Sequence, residues 1–366
     1  GTSTLLGGDP EVSWDSMFSI TGDATTSRNV GMLKTWVPEM RAIGIDTMRT
    51  INVHWIRNQP NEGDPINFPN MDAQVAYLRS QGMVFGGTLS GCPKWANGAG
   101  GLPVGAFDEW AKYVGAVVGH LKDDIKTWEI WNEPPNFTNK NKNPKDYADT
   151  LVTAYKAAKK ADPDCLVGIA AKSAHVSYLD RVIASGAKDH FDFLTLHPYE
   201  LLGMVHKHPG TEPMFMSIVP TTRKMLARRN PEKKNIPIWF TELGANAEHL
   251  GEQGQAVSLI KAYTMAIAQG VASISWFEGR DGDSGPMGLM KRDKTKRMAY
   301  TAMAEMIKYY GQQPQAIGWL MFNDKHYAFV AEGKRGTILL TWTTTRAPDD
   351  VDFGKECTVI DPLTGE

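Results

Sequence analysis

The chain of 366 residues has few cysteines and little net charge. Its three cysteines, Cys92, Cys165 and Cys357, lie far apart and form no Cys-x-x-Cys pair, so neither a zinc knuckle nor a disulfide framework is indicated. The formal net charge of −2 at pH 7 provides no general attraction to nucleic acid or to an anionic membrane. We therefore expect neither as a partner, and the odd cysteine count favours free thiols.

Long apolar runs are also absent. No stretch of about 18 consecutive apolar residues occurs, so we predict no transmembrane span. The first ten residues, GTSTLLGGDP, lack both a basic n-region and an apolar h-region. We interpret them as either the start of a mature chain or an artificially made start, from which an original targeting signal could be missing, and we expect a secreted or periplasmic protein. The oligomeric state is left open.

Motifs for metals and phosphates are scarce. The segment His206-Lys207-His208 has a metal-like spacing, but no third ligand is placed near it, and it could equally present a positive edge to an acidic sugar. The segment SITGDATTSR, after the first apolar run, lacks the Gly-x-Gly-x-x-Gly pattern that a dinucleotide-binding fold needs. We therefore expect no cofactor and no metal.

The chain instead alternates short apolar runs with helical patterns. On one predicted helix, Phe107, Trp110, Val114, Val117 and Leu121 share a face. Near-continuous apolar strands are typical of a parallel sheet covered by helices. Eight strand–helix units predict an α/β fold, a (β/α)8 TIM barrel over residues 1–312, rather than a doubly wound sheet. The eight runs are at about 16–21, 45–51, 83–89, 125–131, 165–171, 191–197, 236–242 and 272–277.

After residue 312 the pattern changes to strands separated by turn residues. Four strands are expected, over 316–324, 326–333, 335–345 and 356–366. They predict a small β-sandwich-like subdomain over residues 313–366 that packs on the barrel, because so short a segment can hardly bury a core alone. The turn-like ending DPLTGE leaves open whether a further strand follows.

Two carboxylates are expected to meet at the mouth of the predicted barrel. Side chains that act on substrate lie at the C-terminal ends of barrel strands. The fourth strand ends in Asn132-Glu133 and the seventh in Thr241-Glu242. Cleavage of a glycosidic bond needs one protonated and one ionised carboxyl group, and a like charge nearby raises the pKa of one of them. The pattern favours a glycosidase.

Other polar and aromatic residues also stand at strand ends. Aromatic rings there could stack on sugar rings, and polar groups could bind sugar hydroxyls. The predicted substrate-binding residues, besides Asn132, are Arg49 on the second strand, His54 and Trp95 in the loops after the second and third strands, His197 and Tyr199 at the sixth, and Trp276 and Glu278 at the eighth.

The motifs WEIWNEP and IWFTELG together resemble clan A of the retaining glycoside hydrolases. The resemblance covers residues 12–312 and is greatest to glycoside hydrolase family 39 and its relatives. It implies that Glu133 is the general acid/base and Glu242 the nucleophile that forms a glycosyl–enzyme. A retaining mechanism also implies that the two carboxyl groups lie about 5–5.5 Å apart.

The same resemblance implies roles for the neighbours of the two glutamates. Asn132 would bind the sugar 2-hydroxyl, Tyr199 and Arg49 would bind Glu242 and keep it ionised, and Trp276 would form the floor of the central sugar subsite. The sugar, the linkage and the choice between endo and exo action stay open. Alternatives are an exo-acting enzyme like a β-xylosidase or uronidase, a glycan-binding barrel without catalysis, and a metal-dependent hydrolase, which would need a His-x-His that the first strand lacks.

Overall fold

The computed structural model of the protein describes residues 16–96, 101–140, 142–320, 324–345, 348, 350–354 and 356–366. The N-terminal ten residues and residues 321–323, on which two of the expectations above partly rest, lie outside this range. Eight parallel strands form a closed barrel in chain order, in which β1 pairs with both β2 and β8. The (β/α)8 barrel is therefore confirmed, and a doubly wound sheet is excluded. The strands are β1 Phe18–Thr21, β2 Thr47–Ile51, β3 Val84–Leu89, β4 Thr127–Ile130, β5 Leu166–Lys172, β6 Phe193–His197, β7 Ile238–Leu243 and β8 Ser273–Phe277.

Helices connect these strands and cover the outside of the barrel. Helix α5 buries Trp110, Val114, Val117 and Leu121, the face predicted from their spacing. The long α11 ends at Gly270, whose φ of 82° is left-handed and closes the helix without a Cβ clash. The helices are α1 Val30–Leu33, α2 Val37–Ala42, α3 Trp55–Asn58, α4 Phe68–Ser80, α5 Phe107–Leu121, α6 Pro144–Ala161, α7 Val176–Val182, α8 Tyr199–Lys207, α9 Glu212–Met216, α10 Ile218–Arg229, α11 Ala247–Gln269 and α12 Met298–Tyr310.

An aromatic layer closes the bottom of the barrel interior. Phe193 on β6 stacks on Trp239 on β7, with their ring centroids 4.3 Å apart. A Cβ at Gly168 on β5 would overlap the Phe193 ring, so only glycine leaves room for it. The bottom of the barrel is thus a packed apolar core, and polar groups inside the barrel lie above it.

The C-terminal segment forms one antiparallel sheet in the order β11-β10-β9, made of β9 Gln315–Leu320, β10 His326–Gly333 and β11 Gly336–Thr343. The sheet contacts α11 and α12. The prediction of a fourth strand is wrong, because residues 356–366 form no strand. Their backbone instead closes on itself, because Gly365 N–H donates to the Asp361 carbonyl at 2.7 Å and Asp361 N–H to that of Glu366 at 2.7 Å. The division at 312/313 stays a prediction.

Within the described part of the chain, no helix combines the length and the apolar character needed to cross a membrane.

Candidate active site

Glu133 and Glu242 meet at the C-terminal mouth of the barrel. Glu133 follows β4, and Glu242 is near the end of β7. One carboxylate oxygen from each, together with a ring nitrogen of His197, lie within 4.8 Å of one another. The glutamate side chains are 18% and 15% exposed, so both are accessible from the mouth. The fold therefore brings together two carboxylates that lie far apart in the sequence.

The backbone around Glu133 is held in an unusual conformation. Trp131 and Glu133 have φ values of 71° and 49°, in the left-handed region that side-chain-bearing residues rarely adopt. Neighbouring contacts stabilise this turn: Trp131 Nε1–H donates to the Phe137 carbonyl at 2.8 Å, and Lys172 N–H donates to the Pro134 carbonyl at 3.0 Å. Strained residues of this kind persist only where the surroundings hold them, and they concentrate at functional sites.

Arg49 and Tyr199 bind Glu242 from two sides. The buried Arg49 guanidinium forms an ion pair with Oε1 of Glu242, and the Tyr199 hydroxyl donates to Oε2 at 3.1 Å. Arg49 also donates from Nη2 to Oδ1 of Asn132 at 3.0 Å. This bond orients the Asn132 amide, so that its N–H donors face away from Arg49. The Glu242 carboxylate thus accepts hydrogen bonds from two donors, Arg49 and Tyr199, and these stabilise its ionised form.

Arg49 has a second carboxylate partner, Glu129 on β4, which lies inside the barrel. It accepts from Arg49 Nε at 2.8 Å and from the hydroxyls of Thr88, Thr195 and Thr241 at 3.1, 2.6 and 2.8 Å. Burial alone would raise the pKa of Glu129, but Arg49, His197 and the hydroxyl donors outweigh it and lower that pKa. Glu129 was not among the predicted site residues because it lies within the apolar run TWEIW. A charge inside a buried strand was the signal that could have identified it.

His197, at the end of β6, links this interior network to Glu133. Its Nδ1 lies 2.9 Å from Glu133 Oε1 and 3.6 Å from Glu242 Oε2, and its Nε2 lies 3.0 Å from Thr241 Oγ1. Because Thr241 gives its hydroxyl proton to Glu129, we assign the Nε2 proton to His197 as the donor to Thr241. Nδ1 then shares one proton with Glu133, either as imidazolium with carboxylate or as imidazole with carboxylic acid.

Charges around Glu133 favour its ionised form when His197 is protonated. Burial raises the pKa of Glu133, but the hydrogen bond and charge of His197, followed by the charges of Arg49 and Lys172, bring that pKa below its usual value. His197 Nδ1, 2.9 Å away, is the group with which Glu133 can exchange a proton. The pair therefore holds a transferable proton at the mouth in either form.

Trp276 is not at the mouth, contrary to the expected sugar floor. Its side chain is fully buried and stacks on Tyr263 of α11, with centroids 6.4 Å apart. Alternate residues of a strand face opposite sides, so Trp276 faces the helices while Phe277 faces inward. Phe277 is 9% exposed, and its ring lies edge-on to Tyr199 at 6.5 Å. The sequence pattern did not fix which face of β8 is inside, and for this reason Trp276 was expected at the mouth.

Glu278 is also misplaced as a substrate-binding residue, because its side chain is completely buried. It accepts from the backbone N–H of Asp23 at 3.0 Å and of Gly282 at 3.1 Å, and from the Thr26 hydroxyl at 3.3 Å. It therefore joins the loops that follow β1 and β8. Burial, with the nearby charge of Asp23, raises the pKa of Glu278 to about 8.

The two remaining predicted contacts lie in loops at the mouth. His54 precedes α3, and its Nδ1 is 3.2 Å from the Ser90 hydroxyl. Burial, then Arg57 and Arg49, lower the pKa of His54 to about 4, so it is neutral at pH 7. Trp95 is half-buried, packs edge-on against Trp55 at 5.5 Å and donates to the Gln59 carbonyl at 3.1 Å. Sugar contact by either residue stays a prediction.

The cluster of Glu133, His197 and Glu242 also offers three atoms that could ligate a metal ion. In all three residues, atoms of this kind already have partners: His197 Nδ1 lies 2.9 Å from Glu133 Oε1, and Glu242 Oε2 accepts from Tyr199. The expectation that the protein needs no metal stays a prediction.

Comparisons with known proteins identify solved structures of the same fold. No protein-family profile and no curated protein sequence matches the chain. A family 39 glycoside hydrolase from the gut symbiont Bacteroides cellulosilyticus is similar with a TM-score of 0.75 at 20% sequence identity, covering 92% of this chain and 73% of that one.

Two further structures agree. A family 39 β-xylosidase from Caulobacter crescentus has a TM-score of 0.62 at 18% identity, with 87% of this chain and 78% of that one covered. A family 30 endoxylanase from Clostridium papyrosolvens has a TM-score of 0.62 at 14% identity, with 89% and 80% covered. These neighbours are clan A glycoside hydrolases, as the sequence resemblance predicted. At these identities the similarity shows the fold.

Proposed function

We propose that the protein is a retaining glycoside hydrolase of clan A that cleaves a β-type bond in an oligo- or polysaccharide. The observation that carries this proposal is the carboxylate pair at the mouth, with oxygens of Glu133 and Glu242 within 4.8 Å of each other. Inverting enzymes separate their carboxyl groups by about 6.5–9.5 Å to leave room for a water molecule, and retaining enzymes by about 5–5.5 Å. The short separation supports double displacement.

In the first step, Glu242 is the nucleophile. Its carboxylate oxygen forms a bond to the anomeric carbon while the bond from that carbon to the leaving oxygen breaks. The proton shared by Glu133 and His197 moves to the leaving oxygen, so the aglycone departs as a neutral alcohol. Arg49 and Tyr199 hold Glu242 in place for the attack. The amide of Asn132, oriented by Arg49, is available to bind the sugar 2-hydroxyl.

In the second step, Glu133 acts as the base. A water molecule gives a proton to the Glu133 carboxylate. The oxygen of that water attacks the anomeric carbon, and the bond from this carbon to Glu242 breaks. The pair of Glu133 and His197 thereby regains the proton it lost. A lowered pKa of Glu133 is compatible with its role as an acid, because the proton can pass between Glu133 and His197.

The substrate class follows from the same proposal, and its details stay open. Neighbouring structures of this fold carry the names β-xylosidase and endoxylanase, so the fold is compatible with both exo and endo action. Product sizes from a polysaccharide panel would separate the two. Binding without any product on long incubation would favour a non-catalytic glycan-binding barrel, and activity lost to a chelator would favour a metal enzyme. Polymeric substrates of this kind fit the expected secreted or periplasmic location.

The test uses the two glutamates separately. We expect Glu242→Ala to lose turnover of an aryl glycoside and Glu133→Ala to retain some turnover of substrates with good leaving groups. An activated 2-fluoro sugar should label Glu242 covalently, as read by mass spectrometry of peptides. Added azide should rescue Glu133→Ala with retained configuration and Glu242→Ala with inverted configuration.

A matched control is Glu248→Gln, which changes an exposed carboxylate at the start of α11, also at the mouth end. It should leave turnover unchanged. A fully active Glu242→Ala variant would overturn the proposed mechanism.

A further inference from the structure

A polar cavity of about 390 Å³ lies between the loops that follow β1 and β2. Both loops are at the C-terminal ends of their strands, so the cavity is at the same mouth as the catalytic groups. None of its described lining residues carries a carboxylate. Besides Ala24, it is lined by Thr25, Arg28, Asn29, Asn52, Arg57 and Asn70.

The two arginines of this cavity have no acidic partner among the residues that the structure describes. Salt bridges connect other arginines, such as Arg49 and Arg297, to carboxylates, but none involves Arg28 or Arg57. Arg57 donates from Nη1 to the Ala24 carbonyl at 3.3 Å, which holds its guanidinium beside the cavity without neutralising its charge. Two guanidinium groups without a carboxylate partner place two positive charges on one concave surface.

The loop that carries Arg28 is held in place before any ligand arrives. The Arg28 carbonyl accepts hydrogen bonds from the side-chain amides of Asn52, Asn70 and Gln74, at 3.3, 3.4 and 3.4 Å. These residues come from the end of β2 and from α4, which are parts of the barrel framework. A surface fixed in this way loses less conformational freedom on binding than a mobile loop would.

Two lining residues connect the cavity to the elements of the candidate active site. Asn52 directly follows β2, the strand that carries Arg49. Arg57 N–H donates to the His54 carbonyl at 3.1 Å, so these two residues are close neighbours. A chain of sugar units bound between Glu133 and Glu242 could therefore extend into this cavity.

We propose that this cavity is a subsite for an acidic sugar unit, one that carries a carboxylate or a sulfate ester. The inference rests on the proposed glycosidase function. The planar guanidinium fork matches both anions by paired hydrogen bonds, and Lys does not reproduce this geometry. The neutral amides and hydroxyl around the arginines suit the remaining sugar hydroxyls. A volume of about 390 Å³ is within the range of small-ligand sites.

The test measures binding rather than turnover, so it is independent of the mechanism. Glu133→Gln protein, which keeps ligands intact, is titrated calorimetrically with two matched pairs. One pair is xylo-oligosaccharide with and without a methylglucuronic acid branch; the other is β-linked galacto-oligosaccharide with and without a sulfate ester. We expect the acidic member of one pair to bind about tenfold more tightly or better, with a preference that declines as salt rises. The pair that shows it identifies the anion.

Variants locate the preference. Arg28→Ala with Arg57→Ala should remove the tenfold advantage and leave affinity for the neutral member unchanged, and Arg57→Lys should restore only part of it. Arg79→Gln removes an exposed arginine at the far end of α4, away from the mouth, and should change nothing. Equal affinity within both pairs, including no binding of either member, would overturn the proposal, as would a preference that survives the double substitution. If the preference depends on the two arginines but the wild-type protein does not hydrolyse the same oligosaccharides, only the proposed function is contradicted.

Discussion

Substitution of Glu129 by Gln tests whether the interior network supports the catalytic groups. Gln keeps the shape but removes the charge that accepts hydrogen bonds from Arg49 and three threonine hydroxyls. Removing one member of a buried ion pair costs about 3–5 kcal/mol. Arg49 keeps Glu242 as a partner, so we expect the lower end, a loss of about 3 kcal/mol in the free energy of unfolding.

The same substitution should reduce activity. Arg49 positions Glu242 and Asn132, and Thr241 positions His197, so both sides of the site lose an anchor. We expect kcat/KM to fall about 10- to 100-fold, which corresponds to about 1.4–2.7 kcal/mol of transition-state stabilisation. Thr88→Val, which removes one neutral donor to Glu129, is the graded control and should cost about 1 kcal/mol of stability.

The stability difference between wild type and Glu129→Gln should also depend on pH. The pKa of Glu129 in the folded protein is below its ordinary value, so its contribution is complete above about pH 4.3 and is lost as the pH falls toward the folded value. Urea unfolding at pH 7 and at acidic pH measures this change. Equal denaturation midpoints for the two proteins at pH 7, or an unchanged kcat/KM, would refute the supporting role.

Three other predictions concern single residues. The pKa of Glu278 is raised to about 8, so between about pH 4.3 and 8 the folded state holds a proton that the unfolded state has released. The free energy of unfolding should therefore fall as the pH rises through this range, by up to about 1.4 kcal/mol per pH unit. Glu278→Gln should flatten that slope in urea unfolding at pH 5 and 8; an unaltered slope would contradict the assignment. Tyr199→Phe removes the 3.1 Å bond to Glu242 and should lower kcat/KM about 10- to 100-fold with little change in melting temperature, whereas normal kinetics would exclude a role for the hydroxyl. Phe277→Ala should lower kcat/KM. Trp276→Phe should lower the free energy of unfolding by about 1–3 kcal/mol and leave kcat/KM unchanged. The opposite pattern would support Trp276 as the sugar floor.

The barrel and the strand-end positions of the two glutamates could be predicted from the sequence alone. Eight apolar runs separated by helical patterns are local signals, because burial on both faces of a parallel strand requires continuous apolar residues. The positions of Glu133 and Glu242 were predicted because Glu133 follows such a run and Glu242 is near the end of another, and strand ends meet at one side of a closed barrel. The small C-terminal sheet was also predicted, but it has three strands instead of the four expected.

Tertiary structure decided which side chains face the site. Whether Trp276 or Phe277 points inward depends on strand register, and a shift of one residue exchanges the two faces. Glu278 looked like a loop residue facing substrate, but packing of the β1 and β8 loops buries it completely. The role of Glu129 and the meeting of Arg28 with Arg57 could not be read from spacing either, because their partners come from separate strands and loops. Contacts between distant segments exist only once the barrel has closed.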